Sequence, residues 1–179
     1  MSEPFTLLMP VYRGDDPAHF AKAFSSSVTA QTRRPDQVVL VQDGPVGDEL
    51  SAAIEAAVSS SPVPVVHHRI ERNVGLARAL TEGLARSDHD IVARMDADDI
   101  SLPERFAKQV PFIERGLDLV GTGMLEFLDD VGSIVGVACP AWIRSRSRAT
   151  PGSTTRSAIR PWCTDEAPSS APAATSRSA

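Results

Sequence analysis

Ile91-Val-Ala-Arg-Met-Asp-Ala-Asp-Asp99 is a short apolar run that passes directly into three carboxylates within four residues. An apolar run of that length bounded by polar residues reads as a buried strand, which puts the acids at its carboxyl end. The same grammar recurs upstream. Phe5-Thr-Leu-Leu-Met-Pro-Val11 is a strand stopped by the turn-prone Arg13-Gly-Asp-Asp-Pro17, Gln37-Val-Val-Leu-Val-Gln42 one stopped by Asp43-Gly44-Pro45, and Val65-Val-His-His-Arg-Ile70 a third. Between them apolar residues return every four positions, as on one face of a helix: Phe20, Phe24 and Val28, then Leu50, Ile54 and Val58, then Leu76, Leu80 and Leu84. A fourth helix is expected to open at Pro103, the favoured first helical position, with Phe106, Val110 and Ile113 inward. Asp118 to Leu128 reads as a fifth strand. Strand–helix alternation implies right-handed crossovers and a mostly parallel sheet flanked by helices on both faces. In such α/β sheets ligands bind at the carboxyl ends of the strands, so Tyr12, Asp43 and Asp96 are expected on one edge.

Composition narrows the function. The chain has 179 residues, 42% of them hydrophobic, and a net charge of -5. No apolar run approaches the roughly 18 residues of a membrane span and no charged-then-apolar leader opens the chain. An acidic chain also lacks the basic face that phosphate backbones require, so nucleic acid is not an expected partner. On these features the protein is expected in the cytoplasm, or peripherally at the inner face of a membrane. From Ala138 onward the composition breaks to Ala, Ser, Arg, Thr and Pro, with six arginines against Asp165 and Glu166. That +4 tail leaves -9 on residues 1–137, and the contrast sets the expected boundary: an ordered domain over 1–137 and a low-complexity, disordered tail over 138–179. Cys139 and Cys163 both fall in the tail, in no metal-binding spacing.

Asp96-Ala97-Asp98-Asp99 is the most informative motif. In extended chain, residues two apart point the same way, so Asp96 and Asp98 are expected to converge on one ligand. Their mutual repulsion would be relieved by a cation, and Mg2+ or Mn2+ with a substrate diphosphate suits so few carboxylates. The bland alternative is a solvated loop with Asp99 capping the next helix. A calcium-binding EF-hand is excluded, because Ser101 and Ala107 stand where its glycine and glutamate belong. Asp43 can accept hydrogen bonds from a base or ribose, or simply make a turn with Gly44. Arg78 lies off the apolar helix face, either solvated or offering a forked donor to a diphosphate. His67 and His68 are adjacent in a strand and point to opposite faces, which favours structural roles. Gly121-Thr-Gly123 lacks both the third glycine and the following helix of a dinucleotide loop, and neither a P-loop nor a Gly-x-Ser-x-Gly elbow occurs.

In order and in register, Leu8-Met-Pro-Val-Tyr12, Ser27-Val-Thr-Ala-Gln-Thr32, Val39-Leu-Val-Gln-Asp-Gly44, Asn73-Val-Gly-Leu-Ala77 and Arg94-Met-Asp-Ala-Asp-Asp-Ile-Ser-Leu-Pro-Glu-Arg-Phe106 resemble glycosyltransferase family 2. The wording is most similar to bacterial exopolysaccharide galactosyltransferases of the amylovoran type, over residues 5 to 136. The resemblance implies a GT-A (Rossmann-like) fold, incomplete at its C-terminal side. It implies inverting transfer of a sugar from a nucleotide-diphosphate sugar, with a UDP-sugar favoured, to a glycan or lipid-linked acceptor. It sets Pro10, Val11 and Tyr12 against the base, Asp43 on its uracil-type edge, and Asp96 with Ala97 near the ribose or diphosphate. Asp98 is the implied metal ligand with Asp99 as its helper. Many relatives carry an arginine where this helix has Leu80, whereas Arg78 matches the exopolysaccharide branch. Nothing after Gly136 matches, and the family's acceptor pocket and general base lie beyond that point. The tail has the composition of an out-of-frame reading of a GC-rich gene. The expectation is a truncated or frameshifted relative, impaired in turnover. A non-catalytic nucleotide-sugar-binding fragment and a nucleotidyltransferase are the alternatives.

Overall fold

The computed structural model describes residues 2–127 and 134–138. The chain divides into two compact units, Met1–Arg115 and Gly116–Ala179. The first holds β1 (Phe5–Tyr12), α1 (Pro17–Val28), β2 (Gln37–Asp43), α2 (Asp48–Ser60), β3 (Val65–Ile70), α3 (Leu76–Leu84), β4 (Ile91–Arg94) and α4 (Arg105–Glu114). The second holds β5 (Met124–Phe127) and β6 (Ile134–Ala138). The disordered tail expected over 138–179 lies, apart from Ala138, outside the described residues. Among the described residues no helix is long and apolar enough to cross a membrane.

The four strands of the first unit form one parallel sheet in the order β3-β2-β1-β4. The mostly parallel sheet flanked by helices is therefore as expected. The chain winds outward from β1 to β3 and then returns to the other side of β1, which makes the β1/β4 boundary the switch point where open α/β sheets bind ligands. The two neighbours of β1 end at different heights. Pairing with β2 runs to Tyr12↔Asp43, whereas pairing with β4 stops at Leu8↔Arg94.

Alternation along β1 sorts the core into two layers. Phe5, Leu7, Met9 and Val11 face a large cluster with Phe20 and Phe24 of α1, Leu50 and Ile54 of α2, and Phe106 and Val110 of α4. Leu8 faces the other way, with Val39, Val41 and Ala79 of α3. Burying each large side chain contributes about 1.5–3 kcal/mol.

Three expectations need correction. On α3 the buried positions are Ala79 and Gly83, while Leu76 and Leu84 are exposed. The helix lies so close to the sheet that a Cβ on Gly83 would collide with Leu8 Cδ1 and come within 2.7 Å of Val41 Cγ2. Small residues set that approach and push the leucines to the flanks. The fourth helix begins at Arg105, not Pro103. The Pro103 carbonyl accepts instead from Thr32 N (2.9 Å) and Thr32 Oγ1 (3.1 Å), which leaves Pro103 in a turn. Proline at a helix start occurs at Pro17, where Asp16 caps the amides of Ala18 and His19. The fifth strand shrinks to Met124–Phe127 and pairs antiparallel with β6. Gly121 and Gly123 precede it, and glycine weakens a strand interior.

Candidate functional site

The carboxyl ends of β1, β2 and β4 and the start of α3 enclose a cleft of about 430 Å³ within the first unit. Of the residues singled out from sequence, Pro10, Val11, Tyr12, Asp43, Asp96, Ala97 and Asp98 line it. Arg78 and Asp99 do not. Arg78 is 70% exposed and pairs with Glu82 at 3.6 Å along α3.

The β1 end makes an aromatic wall. Asp15 Oδ2 accepts from Tyr12 N (2.9 Å) and Asp15 N donates to Tyr12 O (3.1 Å), closing a tight turn. Gly14 lies beneath the ring, where a Cβ would meet the Tyr12 hydroxyl at 2.5 Å and push the ring aside. Tyr12 is left 48% exposed, as a flat surface for a ring to stack on.

At the β2 end, Asp43 is buried and accepts three hydrogen bonds. Its Oδ1 accepts from Val74 N (2.7 Å), and its Oδ2 from Gly75 N (2.9 Å) and Asn73 Nδ2 (3.0 Å). A carboxylate has about four lone-pair positions, so one remains for a ligand. Asp43 thereby fastens the loop that starts α3. Gly44 and Gly75, both at φ 87, permit the approach, and a Cβ on Gly44 would meet Asn73 N at 2.6 Å.

The β4 end differs from the extended geometry expected. Residues 97 and 98 form a turn, with Asp99 N donating to Asp96 O at 3.4 Å. Asp96 and Asp98 still both face the cleft. Arg94 holds Asp96 in a fork, Nε to Oδ1 and Nη2 to Oδ2, each 2.9 Å. Beneath the turn Arg105 donates to Arg94 O (2.8 Å), Ser101 Oγ (3.0 Å) and Met95 Sδ (2.9 Å). Burial draws the Arg105 guanidinium below its ordinary value, while Asp99 and Asp96 counteract that fall. Partial desolvation raises Asp99, and the Asp98 and Asp96 charges add to it. Asp15 is raised by partial burial, partly offset by the Tyr12 amide, and again by Asp98 and Asp96. Asp15 therefore belongs electrostatically to the acidic turn, although it sits on another strand's loop.

Among the described residues no three His, Cys, Asp or Glu side chains are gathered to hold a metal. The donor set nonetheless fits Mg2+ or Mn2+ in the mode in which one or two carboxylates bind and substrate phosphates complete the shell. Asp98 is exposed, and Asp96 is engaged by Arg94.

Sequence reasoning gave no role to Asp15, Asn73, Gly75, Leu76, Ala79 or Arg94, all on the cleft wall. Asn73, Gly75 and Leu76 lie in the resembling segment Asn73–Ala77, and Arg94 opens the segment Arg94–Phe106, which was the available signal for those four. Arg94 reads as an ordinary polar residue at a strand end.

A parallel α/β sheet flanked by helices, with an acidic, aromatic-walled cleft at its switch point, is the arrangement of a GT-A-type protein. The chain belongs to glycosyl transferase family 2, whose family model matches residues 6–163. That span runs past Gly136, beyond the residues 5 to 136 expected from the sequence. The chain is 39% identical over 125 residues to the amylovoran biosynthesis glycosyltransferase AmsE of Erwinia amylovora, covering 69% of this chain and 46% of that one. It is 41% identical over 133 residues to an uncharacterized glycosyltransferase of Haemophilus influenzae, covering 73% and 49%. A UDP-Gal:alpha-D-GlcNAc-diphosphoundecaprenol beta-1,3-galactosyltransferase of Escherichia coli matches at 33% over 115 residues, 64% of this chain and 41% of that one. The chain thus spans about half the length of the Erwinia and Haemophilus relatives. Two solved structures share the fold at 20% identity and TM-score 0.52. One is S. aureus TarS 1-349, covering 63% of this chain and 33% of that one. The other is the mannosyltransferase PcManGT from Pyrobaculum calidifontis in complex with GDP-Man and Mn2+, covering 60% and 31%.

Proposed function

We propose that this chain binds a nucleotide-diphosphate sugar, a UDP-sugar in first place, as the donor-binding half of an inverting glycosyltransferase acting in cell-surface polysaccharide synthesis. The half-domain is set at residues 1–137, working at the cytoplasmic side on a glycan or lipid-linked acceptor. One observation carries the reading: the acidic turn Asp96–Asp98 and the Tyr12 wall share a cleft at the sheet's switch point. The names of the Erwinia and Escherichia relatives support the polysaccharide setting and the UDP-sugar. The Pyrobaculum complex supports a nucleotide sugar with a divalent ion.

In this reading Tyr12 stacks on the base, with Pro10 and Val11 beneath it, and the remaining lone pair of Asp43 accepts from the base edge. Asp96 and Ala97 approach the ribose and diphosphate, Asp98 holds the ion, and Asp99 supports it from behind. When bound, the ion neutralises charge building on the departing diphosphate. Deprotonation of the acceptor hydroxyl needs a carboxylate base, a role we assign to no residue of this chain.

Titration of the full chain with UDP in Mn2+ and in chelator tests the donor site, with tighter binding in Mn2+ expected. Equal affinity in both would remove the metal assignment. Release of UDP from UDP-sugars with and without acceptor then tests turnover. Acceptor-dependent turnover of about one per second, within the range of working enzymes, would place the whole reaction in this chain, contrary to the impairment expected from sequence.

A further inference from the structure

We propose that Arg94 is a diphosphate-binding residue held in reserve by Asp96, and that the pair separates when a nucleoside diphosphate enters the cleft with its divalent ion. The inference rests on the donor-site reading above and deepens it by assigning a residue that the sequence left without a role.

The charge of the cleft calls for such a residue. Its described wall carries four carboxylates, Asp15, Asp43, Asp96 and Asp98, and a single cation, Arg94. Asp43 is compensated by three N–H donors from the 73–75 loop. Asp15 has one donor, the Tyr12 amide, and the acidic turn has Arg94 on Asp96 but no cation on the wall for Asp98; partial burial raises Asp15, and the Asp98 and Asp96 charges raise it further. A diphosphate approaching this wall adds negative charge to negative charge. A divalent ion at Asp98 offsets part of it, and Arg94 is the one guanidinium on the wall that can offset more. Arg78 lies off the cleft wall, beside Glu82.

The mechanics of the strand end allow the exchange. The backbone is pinned, because Arg94 O accepts from Arg105 Nη2 (2.8 Å) and Met95 N donates to Leu8 O (3.0 Å). The side chain is not: Arg94 is 49% exposed and Asp96 41%. A solvent-exposed pair holds less strongly than a buried one, and a second bidentate contact of the same kind can replace this fork. The planar fork now on the Asp96 carboxylate matches two phosphate oxygens equally well. Transfer of the fork leaves both Asp96 oxygens free for the ion or the ribose, so one movement supplies a cation to the phosphates and a carboxylate to the site.

The exchange makes two binding constants move in opposite directions, which a damaged fold would not do. Full-length wild type, Arg94→Gln, Arg94→Lys and Asp96→Asn are titrated with MnCl2 alone, with UDP in Mn2+, and with UDP in chelator. In Arg94→Gln, UDP binding in Mn2+ should weaken about 10- to 100-fold, the value of a charge-assisted contact. Mn2+ alone should bind up to about 5-fold tighter, because Asp96 is no longer occupied. Arg94→Lys should fall between wild type and Arg94→Gln in UDP binding. Asp96→Asn should raise metal-free UDP affinity, since Arg94 is released. If wild type binds UDP in Mn2+ but Arg94→Gln leaves that affinity unchanged, or weakens both ligands together, the exchange is overturned and the donor site stands. If wild type binds no UDP in Mn2+, the donor site and the exchange fall together.

Discussion

The two sides of the cleft hold their carboxylates by opposite means. At the end of β2, Asp43 is buried and takes three donors from a loop about thirty residues further on. At the end of β4, Asp96 is half-exposed and takes one movable side chain from two residues before it. The first arrangement is made once, on folding, and fixes the geometry of a wall. The second is a loose pairing that a ligand can replace. A site for a large anionic ligand benefits from both, a rigid side that sets position and a compliant side whose charge can be rearranged.

The sharpest way to break the contrast is on the rigid side. Asp43→Ala removes the acceptor for two backbone amides and Asn73, and should cost about 3 kcal/mol of stability while abolishing UDP binding. An unchanged urea midpoint would remove Asp43 as an anchor. Gly75→Ala tests the same loop through its backbone. At φ 87 and ψ 154 a side chain is strained, and about 1–3 kcal/mol should be lost. Gly75 has open space around its Cβ position, so any loss reports conformation and not collision.

On the compliant side the signature reverses. Asp98→Asn removes an exposed acid from a repulsive group, so stability should stay within about 0.5 kcal/mol of wild type. UDP affinity in Mn2+ should nonetheless fall at least ~10-fold, with little change in chelator. A parallel loss of stability would erase the distinction between the two sides.

The smallest effect expected is a pH dependence. His67 Nε2 contacts Gln42 Oε1 (3.1 Å) and Gln42 Nε2 donates to Gly44 O (3.0 Å), so His67 braces the β2 end. Partial burial holds His67 below its ordinary value, with the Arg69 charge adding to the shift. As pH falls through about 6.5 the unfolded chain takes up the proton first, so this contribution to stability is present above that pH and is lost below it. The thermal midpoint should therefore drop more between pH 7.5 and 5.5 in wild type than in His67→Asn. UDP affinity should barely differ between them at pH 7.5. Identical pH slopes would leave the β2 end independent of its histidine.

The sheet and the edge of the site were legible because they rest on local patterns. Apolar runs ending in Asp-Gly or Asp-Ala-Asp mark both strands and their binding ends, and the parallel-sheet rule does the rest. What stayed hidden came from contacts across sequence. Leu76, Leu80 and Leu84 have helical periodicity, yet Gly83 faces the sheet, because the space between α3 and the sheet is decided by Leu8 of β1 and Val41 of β2. Pro103 has the chemistry of a helix start, yet Thr32 takes its carbonyl. Asp43 reads as turn or ligand, and no local signal reveals that residues 73–75 will occupy it. Asp96 and Asp98 were expected to converge through an extended chain and instead converge through a turn braced by Arg105.

The unequal neighbours of β1 carry a consequence for how relatives of this protein can diversify. β2 accompanies β1 to Tyr12, while β4 leaves it at Leu8, four residues earlier. At about 3.3 Å per residue that is a step of roughly 13 Å cut into the rim of the sheet. Its depth is written in strand length alone. Adding a residue pair to β4 would advance the Asp96–Asp98 turn by roughly 7 Å and keep every side chain on its own face. Insertions of even length at this one junction are therefore a dial for ligand size, one that leaves the chemistry of the rim intact.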